Sequence, residues 1–113
     1  AMCTKSQLEA IEEEMVNYYR SVYGDSIDTI ILYGSYARGD YSDDSDIDIT
    51  AIVRGNRVEL QKKLKKMWDF STEVGLAYDV IVSPTVIPYD EFEQYKEKLP
   101  YYRNIVKEGR KIG

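Results

Sequence analysis

With 113 residues, 43% of them hydrophobic and 31% charged, the chain has the make-up of one globular domain built on one core. A lone cysteine excludes an intramolecular disulfide and a Cys-rich zinc site, and the absence of histidine excludes Ser-His-Asp and Cys-His nucleophile systems, so acid–base chemistry falls to carboxylates, lysine or tyrosine. The net charge of −5 is a local property, because Asp40, Asp43, Asp44, Asp46 and Asp48 fall within nine residues; with no broad basic face the chain is a poor candidate for sequence-independent nucleic-acid binding.

No run approaches the ~18 apolar residues of a membrane span, and the N-terminus carries no apolar signal region, so no membrane partner and a cytoplasmic location are expected. Ala1 ahead of Met2 has the look of a residue left over from expression and is set aside. Ser6 with Glu9 fits a capping box, and Leu8, Ile11, Met15, Tyr18, Tyr19 and Val22 then recur at helical spacing, which predicts an amphipathic helix over about 6–23 ended by Gly24-Asp25. Glu9, Glu12, Glu13 and Glu14 read as its solvated face. Residues 29–33 form a short β-branched run and read as a buried strand that breaks at Gly34-Ser35 before a short helix.

Such a break leaves backbone N–H groups facing forward, which attract an anion; Gly34 permits close approach and Ser35 adds a hydroxyl. Ten residues later comes Asp46-x-Asp48, at the start of a second predicted strand over 47–53. Residues i and i+2 of a strand share a face, so both carboxylates look one way while Ile47, Ile49, Ala51 and Val53 look into a core. Two carboxylates that close repel by about 2 to 3 kcal/mol at an effective dielectric near 20. A bound Mg²⁺ turns that repulsion into coordination, sharing its remaining positions with phosphates and water.

Gly34-Ser35, Ala37-Arg38-Gly39 and Asp46-x-Asp48 at this spacing resemble the signature of the DNA polymerase beta-type nucleotidyltransferase superfamily. The short chain and the GSYARG wording are most similar to the minimal nucleotidyltransferases, often paired with a small helical HEPN-type partner in toxin–antitoxin systems. The resemblance implies an α+β fold, α-β-α-β-α-β in order, with a short mixed sheet flanked by helices, over about residues 6–82. It leaves a C-terminal helical segment over about 88–109 unexplained within a single domain spanning 1–113.

Between the second strand and the third, residues 58 to about 74 place Leu60, Leu64, Met67, Trp68 and Val74 on one side of a helix closed by Gly75. Lys62, Lys63, Lys65 and Lys66 lie on its wet side. Residues 76–82 read as the third strand, stopped by Ser83-Pro84, with Asp79 inside it. A carboxylate in an apolar strand is costly to bury unless paired or metal-bound, so Asp79 sits on an edge, pairs with a lysine, or holds metal. Residues 90 to about 99 and 101–108 read as helical, separated by Pro100.

Carried over position by position, the resemblance implies transfer of a nucleotidyl group, AMP from ATP, to a hydroxyl with two Mg²⁺ ions bound. Asp46, Asp48 and Asp79 would be catalytic metal ligands, Asp79 on the acceptor side. Gly34 and Ser35 would hold the distal phosphates, while Arg38 either reaches a phosphate or pairs with Asp40, Asp43 or Asp44. The expected acceptor is a tyrosine hydroxyl on a HEPN-type partner toxin. The rivals are an inactive antitoxin that works by binding alone, for which eleven tyrosines offer surface, and an aminoglycoside-type transferase, for which the chain lacks a drug-holding arm. An EF-hand-like reading of Asp44-x-Asp46-x-Asp48 fails on Ile49 and Gly55, and a Walker loop fails for want of Gly-Lys-Ser/Thr.

Overall fold

The structure, a computed structural model, describes residues 2–113. The first helix, α1 (Lys5–Tyr23), is capped two residues earlier than the Ser6 reading, because Thr4 and Gln7 form the capping box: Gln7 N–H donates to Thr4 Oγ1 at 3.1 Å and Thr4 N–H donates to Gln7 Oε1 at 2.9 Å. It buries Ile11, Met15, Tyr19 and Tyr23, each apolar side chain worth about 1.5 to 3 kcal/mol of transfer from water. Glu12 departs from the solvated-face reading. It is buried, and Arg110 holds its carboxylate at 2.7 Å.

A 3-10 turn at Gly24–Ser26 leads into β1 (Ile27–Tyr33), then the single-turn helix α2 (Ser35–Arg38), β2 (Ile47–Val53) and the long helix α3 (Arg57–Tyr78). Asn56 caps α3, its Oδ1 accepting from Val58 and Glu59 N–H. Gly75 does not close α3. The helix runs one further turn, Asp79 caps it in the left-handed region at φ 55° and ψ 49°, and the chain folds back so closely that a Cβ on Gly75 would lie 2.5 Å from the Val80 carbonyl oxygen. The glycine therefore serves the approach of the returning chain rather than the end of the helix.

That extra turn moves the third strand. β3 is Val82–Pro88, not 76–82, and Ser83-Pro84 lies inside it. Proline is tolerated there because β3 is the edge of a sheet ordered β3-β2-β1-β4, so the missing N–H costs no ladder bond on the open side. β2 pairs antiparallel with β1 and parallel with β3. The C-terminal segment supplies α4 (Tyr89–Tyr95), α5 (Pro100–Glu108, with Pro100 in its first turn) and the short strand β4 (Arg110–Lys111), which pairs antiparallel with β1.

The sheet has two apolar faces. Ile30, Leu32, Ile49, Ala51 and Val86 join α1 and α3 in the main core, while Ile52 and Ile87, with Ile31 at their side, pack against Phe92, Tyr102 and Ile105 of α4 and α5. The result is an α+β fold with a four-stranded mixed sheet and five helices among the described residues. Among the described residues no helix is long and apolar enough to cross a membrane.

Candidate active site

The site forms where β1 ends and β2 begins. Gly34 turns the chain at φ 74° and ψ −159°, a conformation that favours glycine, and caps α2; Gly39 closes that turn at φ 91°. The Ala37 and Arg38 N–H groups close on the Gly34 carbonyl and the Gly39 N–H on that of Ser35. None of these bonds uses the N–H of Ser35 or Tyr36, so the turn keeps donors for an anion. Beneath it the buried Tyr36 stacks on Tyr41, ring centroids 4.2 Å apart, and its hydroxyl accepts from Cys3 N–H at 3.3 Å. This stack ties the two ends of the Tyr36–Tyr41 segment together.

Tyr33 and Asp48 are partners across β1 and β2, so the strand pairing delivers the second aspartate directly beside the glycine turn. A Cβ on Gly34 would lie 2.5 Å from Asp48 Oδ2: the carboxylate occupies the space that any other residue at 34 would fill. Asp46 precedes β2 by one residue and Asp48 is the second residue of the strand, close enough that the charge of Asp46 acts on Asp48. Burial first, and then the charge of Asp46, push the Asp48 carboxyl above its ordinary range, with the Arg38 guanidinium pulling the other way.

That balance fits a hard divalent cation, since added positive charge relieves both penalties. Among the described residues no three His, Cys, Asp or Glu side chains gather as a metal-holding group. The chain thus offers two carboxylates, and phosphate oxygens and water would complete the octahedron that Mg²⁺ prefers. The placement of Asp79 is the correction: it lies exposed, capping the end of α3, rather than inside a strand. In the β2–β3 register the residue that stands beside Asp48 is Ser83, two positions before Thr85.

Asp79 does share a cleft with Asp46. A cavity of about 520 Å³ is lined by Asp43, Asp46, Trp68, Thr72, Leu76 and Asp79, among others. Trp68, read as a core residue, is 45% exposed and walls this cleft instead.

Within the chain Arg38 pairs with two carboxylates. Its Nε lies 3.2 Å from Asp40 and its Nη1 3.1 Å from Glu108 of α5, rather than from Asp43 or Asp44. Both carboxylates hold the guanidinium still further into its charged range. Glu108 escaped sequence reasoning, because seventy residues of chain separate the pair and no local pattern links them. The same is true of Tyr101, whose hydroxyl lies 2.8 Å from that of Tyr33. Burial, followed by this contact, pushes the Tyr33 phenol well above its ordinary value. α5 thus touches the site at both ends, through Tyr101 and through Glu108.

Residues 9–112 match the family model described as a nucleotidyltransferase domain. Two proteins of Methanocaldococcus jannaschii bearing the name "Putative protein adenylyltransferase" are similar to the chain. One is 37% identical over 87% of this chain and 90% of its own length, the other 32% identical over 78% and 96%. Among solved structures, a chain of a mutant MntA-HpeT toxin–antitoxin complex superposes with a TM-score of 0.57 at 16% identity, covering 90% of this chain and 72% of that one. A chain of the tri-AMPylated Shewanella oneidensis HEPN toxin in complex with MNT antitoxin gives 0.53 at 16% identity, covering 95% and 71%. A chain of a toxin–antitoxin complex with AMP-PNP gives 0.52 at 17%, covering 89% and 72%. The structural neighbours speak for the fold. The family match, nearly the length of the chain, and the two curated relatives go further: the protein belongs to the nucleotidyltransferase domain family and is a nucleotidyltransferase.

Proposed function

We propose that the chain transfers AMP from Mg²⁺-bound ATP to a tyrosine hydroxyl of a small helical HEPN-type partner, and that this modification is how it acts as an antitoxin. The observation that carries the chemical half is the seating of Asp48 against Gly34, which sets the paired carboxylates of β2 beside the donor-rich turn of α2. The partner half rests on likeness: two relatives are named for adenylyltransfer to protein, and structural neighbours come from complexes of MNT antitoxin with AMPylated HEPN toxin and of a toxin–antitoxin pair with AMP-PNP.

In this reading an acceptor hydroxyl attacks the α-phosphorus of ATP and pyrophosphate leaves. Divalent metal, held by Asp46 and Asp48, supplies charge neutralisation at the reacting phosphate when bound, with two ions expected. The chain's own residues position. Gly34 and Ser35 receive the distal phosphates through backbone N–H and the Ser35 hydroxyl, and Arg38, poised on the rim, turns its guanidinium from Asp40 and Glu108 toward them. Asp79, on the wall shared with Asp46, is assigned the acceptor side, where its carboxylate takes the hydroxyl proton.

The test is incubation with labelled ATP, Mg²⁺ and a candidate HEPN-type partner, comparing wild type with the Asp46→Asn, Asp48→Asn double variant. Label should pass to the partner only with wild type. Equal inhibition of the partner by both forms with no label transferred would replace the enzyme reading with that of a binder.

A further inference from the structure

A second cavity, of about 680 Å³, opens on the other half of the sheet, between β1 and the α4–α5 pair. It lies toward the start of β1, at Asp28 and Thr29, away from Gly34. Its floor is apolar: Ile31 and Ile52 from the sheet, Phe92 and Ile105 from the helices, with Val106, 56% exposed, on the lip. Its rim is basic, which is unexpected in a chain of net charge −5. Lys96, Arg103, Lys107 and Lys111 face only Asp28 and Glu97 there. Lys96 pairs with Glu93 at 2.9 Å, but among the described residues Arg103, Lys107 and Lys111 form no ion pair.

We propose that this groove docks an acidic amphipathic helix of a partner protein, its apolar stripe on the half-buried Ile31 and the exposed Val106, and its carboxylates on Arg103, Lys107 and Lys111. The charge decides the sign of the occupant. A basic or neutral segment would leave three cations unneutralised, whereas an acidic one neutralises them while covering the floor. The geometry decides its form. The groove is lined mainly by side chains of the sheet face and of α4 and α5, and the edge strand it touches, β4, is only two residues long, so it offers side chains rather than a row of backbone donors for an added strand. Because the groove stands apart from the glycine turn, a helix seated in it leaves the Asp46–Asp48 end open, and the inference does not depend on the chemistry there.

The experiment uses the full chain and a fluorescein-labelled synthetic helix with leucines at i, i+4 and i+7 flanked by glutamates, read by anisotropy. Two controls are a scrambled peptide that breaks the stripe and a version with lysine for glutamate. The expected result is saturable, salt-sensitive binding of the glutamate helix alone. Arg103→Glu with Lys107→Glu should weaken it at least about tenfold, as should Val106→Asp. Lys62→Glu with Lys63→Glu, on α3 outside the groove, should bind like wild type. Circular dichroism and MgATP affinity, followed in parallel, keep loss of fold and loss of the nucleotide site separate from loss of docking. Equal binding of the scrambled peptide, unchanged binding by both groove variants in a folded state, or uptake of dodecanoate with no peptide binding would overturn the proposal.

Discussion

The Asp48 carboxylate rests on the Cα of Gly34, in the space where a side chain at position 34 would begin. Gly34→Ala therefore carries two penalties, a left-handed φ of 74° and a methyl 2.5 Å from Oδ2. We expect about 1 to 2 kcal/mol of lost stability, measured by urea unfolding, and nucleotidyl transfer reduced by about a hundredfold or more through displacement of the metal-binding carboxylate.

Asp48 itself is a place where function opposes stability. Its carboxyl is raised in the fold by burial and by Asp46, so the native state binds more protons than the unfolded chain across the upper carboxylate range. Stability contributed by that proton is complete below the ordinary carboxylate value and is lost as pH rises through the folded value. Asp48→Asn should flatten this dependence and raise the Tm of the metal-free protein by about 2 to 4 °C, or roughly half a kcal/mol after solvent screening. It should also abolish transfer and the stabilisation by Mg²⁺, both followed by thermal shift with and without the ion.

Asp79→Asn should leave the fold intact, since asparagine accepts the left-handed cap at least as readily as aspartate. Assigned to the acceptor side of the cleft it shares with Asp46, Asp79 should prove less costly to lose than either carboxylate of the pair, with kcat falling while affinity for MgATP holds. A matching loss of metal affinity in Asp79→Asn and Asp46→Asn would return Asp79 to the ligand set.

For Arg38, Asp40 and Glu108 compete with any incoming phosphate. Arg38→Ala should raise the Kd for MgATP about tenfold, the worth of one charge-assisted contact. Asp40→Asn with Glu108→Gln should lower it, as isothermal titration would register.

The second apolar face is pinned by Glu91, whose carboxylate takes hydrogen bonds from Arg57 and from the Tyr102 hydroxyl. The Arg57 bond first, and that of Tyr102 second, hold the Glu91 carboxyl below its ordinary value, and burial pushes the Tyr102 phenol up to about 12. A depressed carboxyl stabilises the fold above its unfolded value and loses that contribution as pH falls through the folded one. Glu91→Gln should therefore cost about 1 kcal/mol near neutrality, with the difference from wild type closing in acid, measured by denaturant melts across pH.

The sequence was most legible where a side chain's role is decided by its near neighbours. Asp46-x-Asp48 falls where the second strand begins because the apolar alternation starts there, and Gly34-Ser35 bends because glycine permits it. It misled where a residue's role is decided by a distant partner. Gly75 signals a stop unless one knows that Val80 returns upon it, and Pro84 breaks a strand unless that strand is an edge. Those two misreadings together displaced the third strand and carried Asp79 into it. Glu12, Glu108 and Tyr101 were misread or passed over for the same reason, their partners lying 98, 70 and 68 residues away.

One consequence follows from α5. Tyr101 and Glu108 sit seven positions apart, two turns of one rod, and reach the glycine end, while Arg103, Val106 and Lys107 of the same rod look over the opposite groove. Each residue inserted or deleted between 102 and 107 would twist one end against the other by about 100°. Arg38 would then lose Glu108, one of its two counterions, with no catalytic residue altered, so the phase of this helix, more than the identity of its individual residues, is what variation in the segment must preserve.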